Sequence, residues 1–342
     1  MPNSAPTLRE LARALGLSHT TVSEALRDSP RVKPETRKLV VKAATDMGYK
    51  YNPLAGALMS ELRRSRAGIF RGVLAILDLD GPEKRPDNAA RYHNELVQGA
   101  TKRAVELGFK AELFVMGKRG ISATRLDTIL QSRGIRGVFL LPVGDDPDLS
   151  SLDWSRYSGV YADYIMEHPA LHTICADHYR SMITALQRLQ NLGYRRPGLV
   201  LQKHHDERLL YRWEAAYRTY HEHHPEISHL PPLIVPEIER DSFCSWFRMT
   251  KPDVVMCHRV EVVKWMEECG VSVPRTHGYC CLNTMMSATP AAGLDLQPQI
   301  IGARGVELII AQLYRNEYGV PHLPSSTTIA ASWVDGPTLR RQ

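Results

Sequence analysis

Histidine and cysteine are the side chains of this 342-residue chain that most invite a chemical role, and their spacing argues against one. Residues 221–224 read His-Glu-His-His, but the H-E-x-x-H spacing of a zinc site fails because Pro225 stands where the last histidine is needed. We interpret this group, and the pair His204 and His205, as surface or core histidines, since isolated histidine clusters are only a compositional signal. The sequence therefore predicts no metal and no cofactor.

Motifs of known catalytic centres are also missing from the sequence. It contains no G-x-S-x-G, no G-x-x-x-x-G-K-[ST] and no paired Cys/His metal spacing, so we expect no enzyme activity. The six cysteines form no C-x-x-C pair and are interpreted as reduced thiols. No apolar run approaches the ~20 residues that span a bilayer, and residues 1–10 lack the apolar core of a signal peptide. We expect a cytoplasmic protein.

Charge is distributed unevenly along the chain. Residues 1–66 hold 12 Lys and Arg against 6 Asp and Glu, whereas the remainder holds 31 of each. The net positive charge therefore lies in the first fifth of the chain, where a polyanion such as DNA would bind. A solvated basic face is the alternative interpretation.

The basic segment has the periodicity of short helices. Apolar residues at helical spacing predict a first helix over residues 8–15, with Thr7 and Glu10 as a capping box. Gly16 is placed to end this helix in a left-handed conformation, and Ser18 is a good N-cap for the next one.

Two further helices complete the unit. The second is predicted over residues 19–26, and the third begins at Pro34, continues through Met47 and stops at Gly48. A small basic unit with two helices across a tight turn indicates a helix-turn-helix that places its second helix in a major groove. A plain three-helix bundle is the alternative.

Specific residues of this segment match a known family. They read Thr-Leu-Arg-Glu-Leu-Ala from Thr7, Leu-Ser-x-x-Thr-Val-Ser from Leu17, Val-x-x-x-Thr-Arg from Val32 and Gly-Tyr-x-x-Asn-Pro from Gly48. Residues 7–58 resemble the lactose/galactose repressor family almost without a gap, and the rest of the chain resembles it more loosely.

The resemblance implies which residues meet DNA. Base edges would be read by His19, Thr20 and Glu24, whose groups can donate to or accept from bases. Glu24 implies an unusual operator, because family members more often carry a cation or a neutral residue there; pairing with Arg27 or a nearby lysine is the alternative. The expected phosphate contacts are Thr21, Ser23, Arg31, Thr36 and Arg37.

A hinge helix is expected after the three helices, starting at Asn52 and Pro53 and ending near Leu62. By resemblance, Leu58 is the apolar wedge that enters the minor groove beside its symmetry mate, although packing on the headpiece is equally compatible with periodicity. Because the helix is short and contains Gly56, we expect it to form only on DNA, when two chains pair.

From Gly72 onward, short apolar runs alternate with helical stretches, which predicts parallel, doubly wound sheets. The alternation is interrupted once, so two lobes are expected, similar to the periplasmic-binding-protein-like half of the same family, in which the final segment returns to the first lobe. The predicted fold is therefore an all-α helix-turn-helix headpiece over residues 1–51, a hinge helix and linker over 52–71, and an α/β domain of two lobes for effector sensing and dimerisation over 72–342.

Ligands of such sheets bind at the carboxyl ends of the strands. The polar residues that follow predicted strands are Asp78, Asp163, Gln202, His258 and Asn283. Family resemblance supports Asp163 and Asn283, although members usually have Asp at the latter position. Members also place an Arg four residues before an aromatic, whereas here Arg208 stands five before Trp213. Each of these residues has a purely structural alternative, since strand ends are often polar for solvation alone.

The residues and the resemblance together predict a homodimeric DNA-binding transcription regulator, expected to be a repressor, that binds a palindromic operator under the control of a small-molecule effector. A sugar is one candidate effector. The alternative is a two-lobed solute-binding protein, against which the headpiece counts. The sequence leaves open the effector, the operator and its genes, the sign of the response, and whether the assembly is a dimer or a tetramer.

Overall fold

The chain divides into a small N-terminal unit, residues 1–67, and a larger unit, residues 68–342. The computed structural model describes residues 8–26, 29, 32–47, 70–80, 87–116, 120–144, 149–164 and 166–341. Within these ranges no helix is long and apolar enough to cross a membrane.

The small unit begins with the two helices that the sequence predicts, α1 (Leu8–Leu15) and α2 (His19–Leu26). Gly16 adopts the left-handed conformation, with φ of 62°, and so allows the chain to turn between them. The Ser18 hydroxyl accepts the N–H of Thr21 at 3.0 Å, which confirms its role as the N-cap of α2.

The third helix, α3 (Pro34–Asp46), packs on the first two. Proline at its first turn fits because the first N–H groups of a helix have no partner within the helix. The core of this unit is apolar and consists of Leu11, Ala12, Val22, Ala25, Val32, Val40 and Ala44. These residues hold α2 in place and leave its other face toward solvent.

The larger unit contains two six-stranded sheets, as the alternating pattern predicts. The first sheet has the order β11-β5-β4-β3-β1-β2, and every neighbouring pair is parallel. Its strands are β1 (Gly72–Asp78), β2 (Phe109–Val115), β3 (Gly137–Leu140), β4 (Ser158–Tyr161), β5 (His172–Ala176) and β11 (Ser326–Ile329). Its helices are α4 (Asp87–Glu106), α5 (Ala123–Ser132) and α11 (Pro298–Arg315).

The second sheet has the order β12-β10-β9-β8-β6-β7. Its strands are β6 (Pro197–Gln202), β7 (Leu233–Val235), β8 (Val254–Cys257), β9 (Gly278–Cys281), β10 (Gly293–Asp295) and β12 (Ser332–Val334). The helices that follow the crossing into this lobe are α6 (His178–Asn191), α7 (Lys203–Arg208), α8 (Arg212–His223), α9 (Arg240–Thr250) and α10 (Val262–Glu268). One large apolar cluster contains buried residues of both lobes.

Close helix packing holds the first lobe together. Helices α4 and α11 cross where Gly99 and Gly302 face the partner backbone, and a Cβ at Gly99 would lie 2.0 Å from the carbonyl oxygen of Gln299. Only glycine permits this approach. The crossing holds α4 against α11 in the first lobe, and Tyr92 lies about two turns before Gly99 on α4.

The final segment returns to the first lobe, as expected, through α11 and β11, which pairs with β5. The chain then crosses once more, because only two residues separate β11 from β12, and β12 pairs antiparallel with β10 in the second sheet. In the second lobe, the helical stretch after β6 is broken between α7 and α8. Asp206 explains the break, since its carbonyl accepts the N–H of Tyr211 at 2.8 Å and its carboxylate accepts the N–H of Trp213 at 3.2 Å.

Candidate functional sites

The outer face of α2 carries the residues predicted to read bases. Thr20 is exposed and Glu24 is half-buried, so both side chains can be reached from solvent. The backbone of His19 opens α2, but its side chain lies outside the description. The residues outside the described ranges include the alternative partner of Glu24 and two predicted DNA contacts: Arg27, Arg31 and Leu58.

The predicted phosphate contacts differ in exposure. Thr21 is half-buried, and its hydroxyl lies 2.8 Å from that of Ser18, which fixes it beside the turn. Thr36 and Arg37 are half-buried in the first turn of α3. Ser23 is only 8% exposed, so most of its surface packs within the unit.

The five predicted strand-end residues of the larger unit all lie at or just beyond the ends of strands of the two sheets. Asp78 and Gln202 are the last residues of β1 and β6, and His258 comes directly after β8. Asp163 and Asn283 each lie two residues beyond a strand, β4 and β9 respectively. Because neighbouring parallel strands end at the same edge, these residues mark one edge of each sheet.

An ion pair joins the two edges. The guanidinium of Arg208, at the end of α7 in the second lobe, donates to the carboxylate of Asp163 in the first lobe. The Asp163 side chain is 8% exposed and that of Arg208 is 29% exposed, so the pair lies largely out of solvent. The Asp163 carboxylate raises the pKa of Arg208 above its ordinary value. We define the cleft as the space between the lobes around this pair.

Helix α4 forms another connection between the lobes. Arg91 donates to the carbonyl oxygen of Ser287, in the second lobe, at 3.0 Å. The adjacent Tyr92 is half-buried, and burial followed by the nearby Asp163 carboxylate raises the pKa of its phenol. Neither residue was singled out from the sequence, because α4 reads there as an ordinary amphipathic helix.

Two histidines of the second lobe stack beside the cleft. The rings of His205 and His258 are 4.9 Å apart and inclined by 14°. Burial lowers the pKa of His258 to about 4 and holds the pKa of His205 well below its ordinary value, so both rings are neutral at pH 7. Nδ1 of His258 is buried and has no hydrogen-bond partner. The position of His205 beside His258 depends on the pairing of β6, which precedes α7, with β8, and the local sequence does not show this pairing.

Aromatic residues pack beside the segments that carry the ion pair. Nδ1 of His178 lies 2.8 Å from the Tyr164 hydroxyl, and burial lowers the pKa of His178 to about 3. The guanidinium carbon of Arg212 lies 4.4 Å from the centre of the Tyr164 ring. Trp213 is 1% exposed and meets the His178 ring edge-on at 4.8 Å. It therefore packs in the core and presents no surface to a ligand.

The remaining predicted residues have structural partners. The carboxamide oxygen of Asn283 accepts the N–H of Met285 at 3.2 Å and caps a short 3-10 helix. The amide of Gln202 donates to Glu237 at 2.9 Å. Asp78 is 5% exposed and also has a partner. The polar residues that the structure brings together at the cleft are thus Asp163, Arg208, His205 and His258.

The histidine-rich segment at residues 221–224 is engaged in packing. Nδ1 of His221 lies 2.7 Å from the carbonyl oxygen of Tyr217, and the ring of His224 stacks on Tyr220 at 4.0 Å. Across the described part of the chain, no three His, Cys, Asp or Glu side chains come together as a metal site.

Comparison with known proteins gives a family match in the N-terminal segment. The sequence profile for bacterial regulatory proteins of the lacI family matches residues 7–52. The regulator CelR of Thermobifida fusca, an HTH-type transcriptional regulator, is 29% identical over 198 residues, 57% of this chain and 55% of CelR. The chain thus matches little more than half the length of this relative.

Solved structures show the same fold over nearly the whole chain. A CelR–cellobiose complex aligns with a TM-score of 0.58 at 20% identity, covering 97% of this chain and 99% of that one. The lac repressor dimer bound to operator and an anti-inducer aligns with a TM-score of 0.53 at 15% identity, covering 98% and 99%. Residues 7–52 thus match the profile of the lacI family of bacterial regulatory proteins, and the chain shares the fold of these solved structures.

Proposed function

We propose that the protein is a sequence-specific DNA-binding transcription regulator that acts as a homodimer. The observation that carries this proposal is helix α2, which is capped by Ser18 and presents Thr20 and Glu24 on an accessible face of a small basic unit. A helix of this kind fits a major groove, where hydroxyl and carboxylate groups discriminate base edges.

The contacts around α2 divide into reading and positioning roles. Base readout belongs to His19, Thr20 and Glu24. Phosphate contacts from Thr21, Ser23, Arg31, Thr36 and Arg37 would fix the orientation of the headpiece on the duplex without specifying sequence. In this division, residues 1–51 are the headpiece, residues 52–71 the hinge and linker that carries Leu58, and residues 72–342 the effector-sensing and dimerisation domain.

The cleft is the proposed effector site. A ligand between the lobes would meet the Asp163–Arg208 pair and the neutral histidines, with Asp78, Gln202 and Asn283 at neighbouring strand ends. Hydroxyl groups suit this lining, because each can donate to Asp163 and accept from Arg208. The CelR structure was solved with cellobiose, and we propose a carbohydrate as the effector class here as well.

Ligand binding would act on DNA binding through the lobes. A ligand that favours one arrangement of Asp163 relative to Arg208 changes the relation of the two lobes, and hence the pairing of the hinge segments in a dimer. The relative named above is a transcription regulator, and we propose no catalytic step for this chain. We propose that the protein acts on its operator in the cytoplasm.

The proposal is tested by selecting bound sequences from a random duplex pool with the full chain. We expect enrichment of one palindromic motif, because two headpieces related by two-fold symmetry read two identical half-sites. The matched control is Thr20→Ala, which removes one exposed hydroxyl of α2 and should relax preference in each half-site. If no motif were enriched, the chain would not bind DNA specifically, and if the enriched motif were not palindromic, it would not bind as a symmetric homodimer.

A further inference from the structure

Two cysteines of the second lobe lie against each other, away from the cleft residues described above. Cys244 is on α9, and Cys269 directly follows α10. The Cys244 thiol donates to the carbonyl oxygen of Trp265 at 4.0 Å, and the backbone N–H of Cys269 donates to the same oxygen at 3.0 Å. Both cysteines therefore meet at the carbonyl oxygen of Trp265.

A salt bridge holds the two helices together beside the thiols. Nε of Arg240, one turn before Cys244 on α9, lies 2.6 Å from the carboxylate of Glu268, which directly precedes Cys269. Two cross-helix contacts, from Cys244 to the Trp265 carbonyl and from Arg240 to Glu268, thus bring the two cysteines close together. A disulfide needs this close approach, since cysteines on elements that are held apart cannot bond without backbone movement.

Small reagents can reach Cys269 from solvent, because this residue is partly exposed, whereas Cys244 is 3% exposed. A surface groove of about 560 Å³ along α9 is lined in part by Arg240, Cys244 and Arg248. The more accessible thiol is thus placed to react first, and the buried one to react second.

We propose that Cys244 and Cys269 are a thiol pair that low-molecular-weight disulfides, such as oxidised glutathione, convert reversibly into an intramolecular disulfide. The Cys269 thiolate attacks one sulfur of the reagent, the reagent's S–S bond breaks, and one thiol leaves with a proton. Cys244 then loses its proton, attacks the Cys269 sulfur in the mixed disulfide and releases the second thiol. Two protein thiols are oxidised, and one reagent disulfide is reduced to two thiols.

The order of the two steps follows from accessibility and acidity. Burial raises the pKa of Cys244 to about 11, so little of it is thiolate at pH 7 and it does not compete for the reagent. Once the mixed disulfide forms beside it, the second step is intramolecular and depends on proximity.

The chain supplies its own control pair. Cys257 and Cys281 are register partners on the adjacent strands β8 and β9, yet both are 0% exposed. Burial raises the pKa of both thiols. If closeness alone sufficed, this pair would oxidise as well; since access is also required, it should stay reduced in the folded protein.

The test treats the full, folded chain with oxidised glutathione at pH 8 and maps thiols and disulfides by alkylation and peptide mass spectrometry. We expect loss of two of the six free thiols, a peptide linking residues 244 and 269, and full recovery on reduction. Cys244→Ala should stop the reaction at glutathione-modified Cys269, and Cys269→Ser should leave Cys244 unmodified, with thermal melting used to check that both variants fold.

Three results of this experiment would contradict the thiol pair. Retention of all six thiols, a stable mixed disulfide at Cys269 in the unsubstituted chain, or a linkage between Cys257 and Cys281 in its place would each overturn the proposal. The readout involves no DNA, so its failure leaves the proposed regulatory function untouched, and failure of DNA binding leaves this site untouched.

Discussion

Replacing Arg208 with Met should weaken the folding of the larger unit, because it leaves the Asp163 carboxylate without its cation. Asp163 exposes 8% of its side chain, so water cannot fully replace the lost partner. Removing one member of a buried pair costs about 3–5 kcal/mol, and because Arg208 is 29% exposed we expect a smaller loss, about 2–3 kcal/mol.

The assay is urea unfolding followed by tryptophan fluorescence. All five tryptophans lie beyond residue 150, so the signal reports the larger unit alone. The matched variants are Asp163→Asn, alone and combined with Arg208→Met. The double variant should regain about 1–2 kcal/mol relative to Arg208→Met, because no charge is then left buried and unpaired.

The reasoning would be refuted if Arg208→Met unfolded within about 0.5 kcal/mol of the unsubstituted chain, or if the two substitutions were simply additive. Either result would mean that the ion pair is not a closed contact between the lobes. Arg208 would then be free to serve a ligand without displacing Asp163.

Three further predictions concern the histidines, the reading helix and the cleft. Between pH 7 and pH 5 the free energy of unfolding should fall by about 2 kcal/mol through His258 alone, because its folded pKa of about 4 lies below the unfolded value near 6.5 and the unfolded chain takes up the proton first. In urea titrations, His258→Gln should lack this contribution of about 2 kcal/mol to the pH dependence. A pH dependence that is the same in the variant would contradict the low pKa of His258. Glu24→Arg should change the preferred base at one position of each half-site, by about 1–3 kcal/mol of discrimination, in sequence selection; an unchanged profile would favour a structural role. Asn283→Ala should abolish the effect of effector on operator affinity in binding assays, while the affinity without effector stays within about twofold of the unsubstituted chain. If the variant still responded fully to effector, the ligand would bind at another place.

The sequence was most informative where the local pattern suffices. Ser18 and Gly16 fix the ends of adjacent helices through their own backbone chemistry, and α1 and α2 begin and end where predicted. The strand-end residues Asp163 and His258 were found in the same way, because a strand's carboxyl end can be located from its apolar run.

The rest depends on contacts between distant segments. The break between α7 and α8 arises from hydrogen bonds around Asp206 that no periodicity encodes. The buried state of Trp213 and the pairing of His205 with His258 follow from packing across the second lobe. The crossing from β11 to β12 was missed because two short strands with exposed, polar alternation resemble a loop.

The most direct test of the central claim is the salt dependence of operator affinity, measured by fluorescence anisotropy with the full chain and the selected duplex. Two headpieces that each place Arg31 and Arg37 on phosphates should give a log–log slope of about −4 or steeper, with a scrambled duplex bound at least ~10³-fold more weakly at physiological salt. A slope near zero, or equal affinity for the scrambled duplex, would contradict a sequence-specific DNA-binding regulator.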